Sequence, residues 1–252
     1  MINDGTEVGF LKSRKLCKFI IIALSFVLML SGAVISYTFS VYRIPPLTDS
    51  ELEASGINNA TKLMIVAHPD DDMIWGGGHL MEKGYFVVVV TNRTKTVRKK
   101  EFYDVLEATG NDGIILSYPD KTFGRRDSWE HNRDDIIRDL EKVICYHDWE
   151  LIVTHNANGE YGHQHHKMTH RFVTDIFKEH QDELKSQLYF FGNYYTANEI
   201  DRVAGLIPRI TDEQLAFKED ILKLYKSQSK VVKNLSHMNP FENWILYDGT
   251  NG

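Results

Sequence analysis

Two short polar segments of this sequence combine histidine and carboxylate side chains in a pattern that suits metal chemistry. Residues 67–72 read AHPDDD and follow the apolar run KLMIV directly. Residues 162–166 read GHQHH and come after a second apolar run, ELIVT, and a glycine-containing loop. Imidazole and carboxylate groups are ligands for zinc and other divalent metals, and a bound cation offsets the repulsion among adjacent carboxylates. The two segments are therefore predicted to form two halves of one metal site.

Such a site would contain the groups that metal-assisted hydrolysis of an amide needs. Catalytic zinc takes three protein ligands and keeps one position for water. A carboxylate that does not bind the metal would take a proton from this water, and a further histidine would donate to the oxyanion. The candidates are His68, Asp70 and Asp71 in the first segment and His163 and His166 in the second. The residue types alone leave open which Asp binds the metal.

Alternating strands and helices are predicted to position the two segments. Runs rich in β-branched and aromatic residues are typical of strands and occupy residues 63–67, 85–91, 113–118, 150–155 and 187–195. Amphipathic runs typical of helices occupy residues 73–84, 97–110, 133–147, 166–180 and 211–232. This alternation predicts an α/β fold with a mostly parallel sheet and helices on both faces. Both polar segments then lie at the carboxyl ends of strands, where such sheets bind ligands.

A run of three glycines, Gly76 to Gly78, lies in the first predicted helix. No phosphate-binding fingerprint follows it, so a nucleotide loop is not indicated. Close approach of this helix to the sheet is the favoured interpretation, because glycine has no Cβ to keep the two apart.

The N-terminal region contains an apolar segment without charged side chains, at residues 19–41. As a helix it is long enough to cross the hydrocarbon core of a bilayer, which is about 30 Å thick. Four Lys or Arg residues lie between positions 12 and 18, whereas only Arg43 follows closely. The positive-inside rule then predicts a cytoplasmic N-terminus and an extracytoplasmic remainder. An SGA sequence near the middle resembles a signal-peptide cleavage site, but the apolar run continues beyond it and favours an uncleaved anchor.

These features divide the chain into four predicted parts: a cytoplasmic segment (1–18), a transmembrane anchor (19–41), a linker (42–61) and a catalytic domain (62–252). The linker prediction rests on prolines and polar residues that leave nothing to bury. A formal net charge of −6 with scattered basic residues argues against a nucleic-acid partner. The two cysteines, Cys17 and Cys145, are far apart and predict neither a disulfide framework nor a cysteine zinc site. Nothing in the sequence indicates the oligomeric state.

At these motifs the sequence resembles the PIG-L/LmbE family of zinc-dependent de-N-acetylases, which act on N-acetylglucosamine-containing substrates and have a Rossmann-like α/β fold. The first family signature, HPDDE after Ala or Pro, matches AHPDDD with Asp72 in place of Glu. The second, GHxDH, matches GHQHH with His165 in place of Asp. Softer matches are an R-x-x-E pair at Arg98 and Glu101, the segment SYPDKTF, and a C-terminal YKSQ. Together they cover roughly residues 62–230.

The resemblance implies a role for each matching residue. His68, Asp71 and His166 would bind Zn²⁺, or another divalent metal in its place. Asp70 would be the general base, and His163 would be the acid or electrophile that stabilises the tetrahedral intermediate.

The resemblance further implies Arg98 and Asp120 as substrate-binding residues. The substrate would be an N-acetylated glycan or glycolipid, met outside the cytoplasm if the anchor has the predicted orientation. Reversed insertion would instead suit the glycolipids that some membrane enzymes of the family deacetylate from the cytoplasmic face.

The two departures from the signatures keep alternatives open. Asp72 is one methylene shorter than Glu, so any hydrogen bond at this position must be rearranged. His165 cannot supply the negative charge of an Asp, and Glu160 is one carboxylate that could replace it. Besides a de-N-acetylase, the residues allow a metal hydrolase of another bond, such as a phosphoester, or a non-catalytic glycan-binding module with the same fold.

Overall fold

The computed structural model describes the backbone of residues 4–250 and the side chains of residues 14 and 16–250. The predicted cytoplasmic segment 1–18 thus lies partly outside the described residues. The chain divides after Arg43 into two compact units. The first unit consists of helix α1 (Asp4–Tyr42).

Helix α1 contains an apolar stretch, Leu16–Tyr42, that is able by its length and composition to cross a membrane. Large apolar side chains along it are exposed, among them Phe19 and Leu28, as expected for a helix that contacts lipid. The stretch includes the whole predicted segment 19–41. Membrane insertion and its direction remain predictions.

The second unit contains a six-stranded sheet with the order β3-β2-β1-β6-β7-β8 and a separate hairpin, β4-β5. The strands are β1 (Lys62–Val66), β2 (Tyr85–Thr91), β3 (Asp112–Tyr118), β4 (Lys121–Thr122), β5 (Arg125–Arg126), β6 (Leu151–Thr154), β7 (Gln187–Phe190) and β8 (Ile245–Leu246). The helices are α2 (Asp49–Ala54), α3 (Asp71–Leu80), α4 (Thr96–Thr109), α5 (Arg133–Ile144), α6 (Gly159–Gly162), α7 (Gln164–Glu179), α8 (Ala197–Val203), α9 (Asp212–Ile221) and α10 (Ser229–Leu235).

The strands of the sheet are apolar on both faces because helices cover both faces. All seven residues of β2 are buried. In β1, Leu63 and Ile65 point into one core, with α5 and α7, while Met64 and Val66 point into the other, with α3 and α4. All strand pairs in this sheet are parallel except β7 with β8. The predicted α/β fold, with a mostly parallel sheet between helices, is confirmed.

The stretch predicted as a linker, 42–61, contributes Leu47, Leu52, Ile57 and Ala60 to a hydrophobic core of the second unit, so the prediction that it buries nothing is wrong. Its helix α2 begins with a capping box between Thr48 and Glu51. Leu52 and Ile57 are fully buried and belong to the core. These apolar residues are isolated among polar ones, so the composition of the stretch did not indicate a buried face.

The C-terminal segment 211–232, predicted as one helix, is broken in its middle. Helix α9 is followed by two 3₁₀ turns, Leu222–Leu224 and Lys226–Gln228, before α10 begins. Tyr225 lies between the turns with φ −77° and ψ 55°, and its side chain is fully buried. The periodic apolar pattern continues through the break because Tyr225 still faces the core, so periodicity alone could not reveal it.

The glycine run in α3 permits close contact with neighbouring side chains. A Cβ on Gly76 would lie 2.5 Å from Cε of Met64 in β1, and one on Gly77 would lie 2.8 Å from Cγ of Lys218. Both distances are shorter than real Cβ contacts allow. The predicted close approach of this helix to the sheet is therefore confirmed at Gly76.

A buried ion pair lies beside the same helix. Lys218 and Glu242 have fully buried side chains, and Lys218 Nζ lies 2.7 Å from Glu242 Oε1. Lys218 also donates to the carbonyl oxygen of Ile74, and Glu242 accepts from the amide of Gly78. Burial by itself would raise the pKa of Glu242, but Lys218, His79 at 2.7 Å and the amide of Gly78 lower it to about 2. The pair joins α9 and the C-terminal segment to α3.

We expect Glu242→Gln to lower the free energy of unfolding by about 3–5 kcal/mol at neutral pH, because it leaves the buried ammonium of Lys218 without a counter-charge. Glu213→Gln, at an exposed position of α9, should cost less than about 1 kcal/mol. A carboxyl group with a lowered pKa stabilises fully above its ordinary pKa of 4.5, and this contribution is lost as the pH falls towards about 2. Urea unfolding at several pH values would therefore show that the free energy of unfolding falls less between neutral and acid pH in Glu242→Gln than in wild type. An equal fall in the two proteins would contradict this.

Candidate active site

The carboxyl ends of β1 and β6 bring the two polar segments together. The strands are parallel neighbours in register from Lys62 opposite Leu151 to Ile65 opposite Thr154. The chain leaves β1 into the segment that contains the three aspartates, and it leaves β6 into the loop that leads to α7. Both loops therefore open on the same edge of the sheet, as predicted.

The three residues predicted as metal ligands converge around one carboxylate oxygen. Oδ2 of Asp71 lies 3.1 Å from Nδ1 of His68 and 3.2 Å from Nε2 of His166. All three side chains are buried. Among the described residues, ligand atoms within 4.8 Å of one another are found in the overlapping groups His68, His163 and His166; His68, Asp120 and His165; and Asp71, His155 and His166. The structure thus brings together His68, Asp71 and His166 with His163 beside them.

His166 provides the test of whether these residues fit a metal ion. Its Nδ1 is hydrogen-bonded to Glu160, while its buried Nε2 makes no hydrogen bond and faces Asp71. Burial would lower the pKa of His166, but Asp71 and Glu160 raise it to about 10. The surroundings therefore favour a positive charge at this point. An imidazole held by a carboxylate through one nitrogen, with the other nitrogen free, is the usual arrangement of a metal ligand. The residues fit a divalent cation.

His155 and Glu160 support this arrangement; His155 was not selected from the sequence, and Glu160 was considered only as a replacement for the charge missing at His165. Nε2 of His155 accepts from the amide of Ala67 at 3.0 Å, and Nδ1 donates to Glu160 Oε2 at 3.0 Å. With both nitrogens occupied, His155 stacks on His166 at a ring distance of 3.9 Å. The position of His155 directly after β6 was the feature of the sequence that could have indicated it as a site residue. Glu160 contacts these two histidines and not His163, so it does not take over the charge missing at His165.

Asp70 has an unusual backbone and a restrained side chain. Its φ of 115° is in the region that favours glycine. Oδ1 accepts from Nη2 of Arg98 at 2.9 Å, and the same nitrogen donates to the carbonyl of Pro69. Burial and the neighbouring Asp71 raise the pKa of Asp70 to about 7, although Arg98 opposes the rise. A carboxyl group with a pKa near neutrality is suited to general-base catalysis.

His163 lies at the open side of the cluster. Its ring centroid is 4.7 Å from that of His68 and 4.3 Å from that of His166. Nδ1 is buried and makes no hydrogen bond. Burial and the two neighbouring histidines lower the pKa of His163 to about 2, so the ring is neutral and keeps one N–H for donation.

Asp120, predicted to bind substrate, lies against His68 in this structure. Oδ1 is 3.3 Å from Nε2 of His68, and the carboxylate also forms an ion pair with Arg126 of the hairpin. Burial would raise the pKa of Asp120, but His68 and Arg126 hold it well below its ordinary value. Its observed partner is therefore a predicted metal ligand. Arg98, the other predicted substrate residue, is likewise engaged by Asp70.

His165, which stands where the family signature has Asp, also orients His68. Its Nε2 donates to the carbonyl of Asp127 at 2.8 Å, so its Nδ1 is left as an acceptor. That Nδ1 lies 3.1 Å from Nε2 of His68. The ring is fixed by stacking on Trp129 at 4.0 Å. His68 can therefore donate through Nε2 and present the lone pair of Nδ1 to the side of Asp71.

An aromatic wall borders the site and was not anticipated from the sequence. Tyr161 is 43 % exposed, and its ring lies 6.0 Å from that of His163. The ring of Tyr194 lies 5.9 Å from that of Tyr161, and the ring of Trp75, which is buried, lies 6.3 Å from it. Aromatic faces beside polar groups are able to pack against a ring-shaped substrate.

The fold is that of known deacetylases. It superimposes on the structure of a deacetylase–bog complex from the teicoplanin biosynthesis pathway with a TM-score of 0.55 and 15 % identity, covering 75 % of this chain and all of that one. It also matches the A40926 pseudoaglycone deacetylase Dbv21 with a TM-score of 0.52 and 16 % identity, over 71 % of this chain and 87 % of that one. At such low identity these similarities establish the fold.

The sequence itself establishes the family. The profile of the family described as "PIG-L: GlcNAc-PI de-N-acetylase" matches residues 63–177. The uncharacterized protein L374 of Acanthamoeba polyphaga mimivirus is 30 % identical over 191 residues, which are 69 % of this chain and 74 % of that protein. The chain belongs to the PIG-L family of de-N-acetylases.

Proposed function

We propose that this protein hydrolyses the acetamido group of an N-acetylglucosamine-type sugar in a glycan or glycolipid. The observation that carries the proposal is the convergence of His68 Nδ1, Asp71 Oδ2 and His166 Nε2 next to Asp70. The proposed ligands are these three residues, and Zn²⁺ is the proposed ion. When bound, such an ion polarises the acetyl carbonyl and activates water for attack.

Asp70 is proposed to move the proton, and His163 is proposed to stabilise the oxyanion. Asp70, whose pKa is raised by burial, takes a proton from the attacking water. Arg98 holds the carboxylate of Asp70 in its orientation towards the site. His163 lies on the open side, where the N–H of its neutral ring is able to donate a hydrogen bond to the oxyanion. The C–N bond then breaks as the amine nitrogen takes up the proton that Asp70 removed from water. Acetate leaves, and the sugar retains a free amino group.

The sugar itself is proposed to pack against the rings of Tyr161 and Tyr194, the members of the aromatic wall that are not buried. The half-exposed ring of Tyr161 adjoins His163, so a sugar stacked there would direct its acetamido group towards His163. Aromatic side chains contribute large contact areas at small conformational cost, which suits a platform for sugar rings.

The sheet unit is proposed to work outside the cytoplasm, with α1 as its anchor. The proposal rests on the basic residues between positions 12 and 18. Protease digestion of sealed right-side-out vesicles tests it: degradation of the sheet unit is expected, and its protection would place the reaction on the cytoplasmic face.

Acetate release from a panel of acetylated glycans tests the activity. N-acetylglucosamine oligomers, a glycolipid that carries N-acetylglucosamine and a phosphoester substrate would be compared. Metal-dependent acetate release is expected from at least one acetylated substrate. Phosphate release, or sugar binding without acetate release, would contradict the proposal.

Asp120→Ala separates a role in substrate binding from a role in holding His68. Because Asp120 contacts Nε2 of His68, we expect the affinity for zinc to fall about 10–100-fold, as is typical when a partner of a metal-binding histidine is lost. Competition with a chelator of known affinity measures the change. Asp134→Ala, at an exposed ion pair of α5, is the control. Unchanged zinc affinity with a raised KM would show instead that Asp120 binds substrate.

A further inference from the structure

The backbone of Asp70 must be held in place by its surroundings. A residue other than glycine with φ 115° and ψ −31° costs of the order of 1–3 kcal/mol, so it persists only where neighbouring contacts fix it. The amide of Asp70 donates to Oδ1 of Asp72 at 3.1 Å, and its carbonyl accepts from the amide of Ile74 at 2.8 Å. The carboxylate of Asp72 is thus one of the groups that fix this conformation.

Asp72 is held in turn by the hydroxyl of Tyr225. This hydroxyl lies 2.9 Å from each carboxylate oxygen of Asp72, and both side chains are completely buried. A hydrogen bond to a buried carboxylate restrains both partners, because water is not available to replace either one. The chain of contacts therefore runs from Tyr225 through Asp72 to the main chain of Asp70.

The break in the C-terminal helix presents Tyr225 to Asp72. Tyr225 lies between the two 3₁₀ turns, and the second turn is fixed to α4 through Ser227. Ser227 donates to Glu101 through its amide at 2.7 Å and its hydroxyl at 2.6 Å. Glu101 lies one turn beyond Arg98, which binds the carboxylate of Asp70. The same segment thus contacts Asp72 through Tyr225 and, through Ser227, the helix that carries Arg98.

We propose that Tyr225 is a positioning residue that acts through Asp72 to hold Asp70 in its working orientation, an inference that rests on the proposed role of Asp70 as the base. Asp72, which stands where the family signature has Glu, also has a role in this proposal. The carboxylate of Asp72 faces the Asp70 amide and Tyr225 and serves as the link between them.

The test compares Tyr225→Phe with Tyr118→Phe. Tyr118 is a matched control because its buried hydroxyl donates to buried Asp139 at 2.6 Å, in the core on the other face of the sheet. Both variants lose one buried hydrogen bond and should lose similar thermal stability. For Tyr225→Phe we expect kcat for acetate release to fall about tenfold, with KM and bound zinc within twofold of wild type, because a displaced base slows the chemical step. Tyr118→Phe should keep the wild-type kcat.

Asp72→Asn and the double variant complete the experiment. Since both residues act along one path, Asp72→Asn with Tyr225→Phe should lose little more kcat than the worse single variant, and Asp72→Asn is used if Tyr225→Phe does not fold. An unchanged kcat in Tyr225→Phe, a loss of zinc that accounts for the lost rate, or additive losses would overturn the proposal.

Hydrogen exchange at the Asp70 amide distinguishes failure of this inference from failure of the proposed function. Exchange should be faster in Tyr225→Phe than in wild type and unchanged in Tyr118→Phe, whether or not the wild-type protein releases acetate. Equal exchange in all three proteins would overturn the link itself. Absence of acetate release by wild type would overturn the proposed function alone.

Discussion

Asp70→Asn is expected to lower kcat for acetate release by about 10²–10⁴-fold, the range that a general base contributes. Asparagine has nearly the same shape as aspartate and is able to keep the hydrogen bond from Arg98, but it does not accept a proton from water at neutral pH. The proposed ligand set of His68, Asp71 and His166 is untouched, so bound zinc should stay near the wild-type amount. Acetate assays together with metal analysis measure both quantities.

A control substitution at a distant aspartate tests whether the effect is specific to Asp70. Asp104→Asn, at an ion pair with Lys100 on the exposed face of α4, should behave as wild type in both assays. Full activity in Asp70→Asn would show that the roles of Asp70 and Asp71 are wrongly divided. Loss of zinc together with activity would place Asp70 among the ligands.

His166→Ala is expected to remove the metal. Nε2 of His166 is buried beside Asp71 and makes no hydrogen bond. Its loss should weaken zinc binding by more than about 100-fold, which is the upper end of the range for loss of a residue that only hydrogen-bonds to a metal ligand. Acetate release should fall to background, since the activated water depends on the ion. Chelator competition and metal analysis of the purified protein measure the affinity.

His180→Ala is the matched control for His166→Ala. His180 lies at the far end of the same helix, partly exposed and paired with Glu141 at 2.7 Å. Zinc content and acetate release should match wild type. If His166→Ala bound zinc as tightly as this control, the assignment of His166 as a ligand would be wrong.

The sequence predicted the sheet because its strands are continuous apolar runs between amphipathic helices. The burial of all seven residues of β2 is the physical basis of that success. It also predicted which loops meet, because β1 and β6 end in polar segments and parallel strands share one edge. The close grouping of His68, Asp71 and His166 follows from this topology.

Other features depended on contacts that no local pattern reveals. Leu52 and Ile57 lie among polar residues, so the buried part of the predicted linker was missed. The helix breaks at Tyr225, whose hydroxyl donates a hydrogen bond to Asp72, 153 residues away, although the helical pattern of apolar residues continues through the break. His155 and Glu160 gain their importance from contacts with His166, and neither lies in a family signature.

The most direct test of this account is metal-dependent release of acetate from N-acetylglucosamine oligomers by the purified protein. One zinc ion per chain and acetate release at a steady rate are expected, with the rate falling at least about tenfold after chelation and returning when zinc is added. A rate that survives complete removal of the metal would contradict the account. So would a zinc-loaded protein that releases no acetate from any acetylated sugar in the panel.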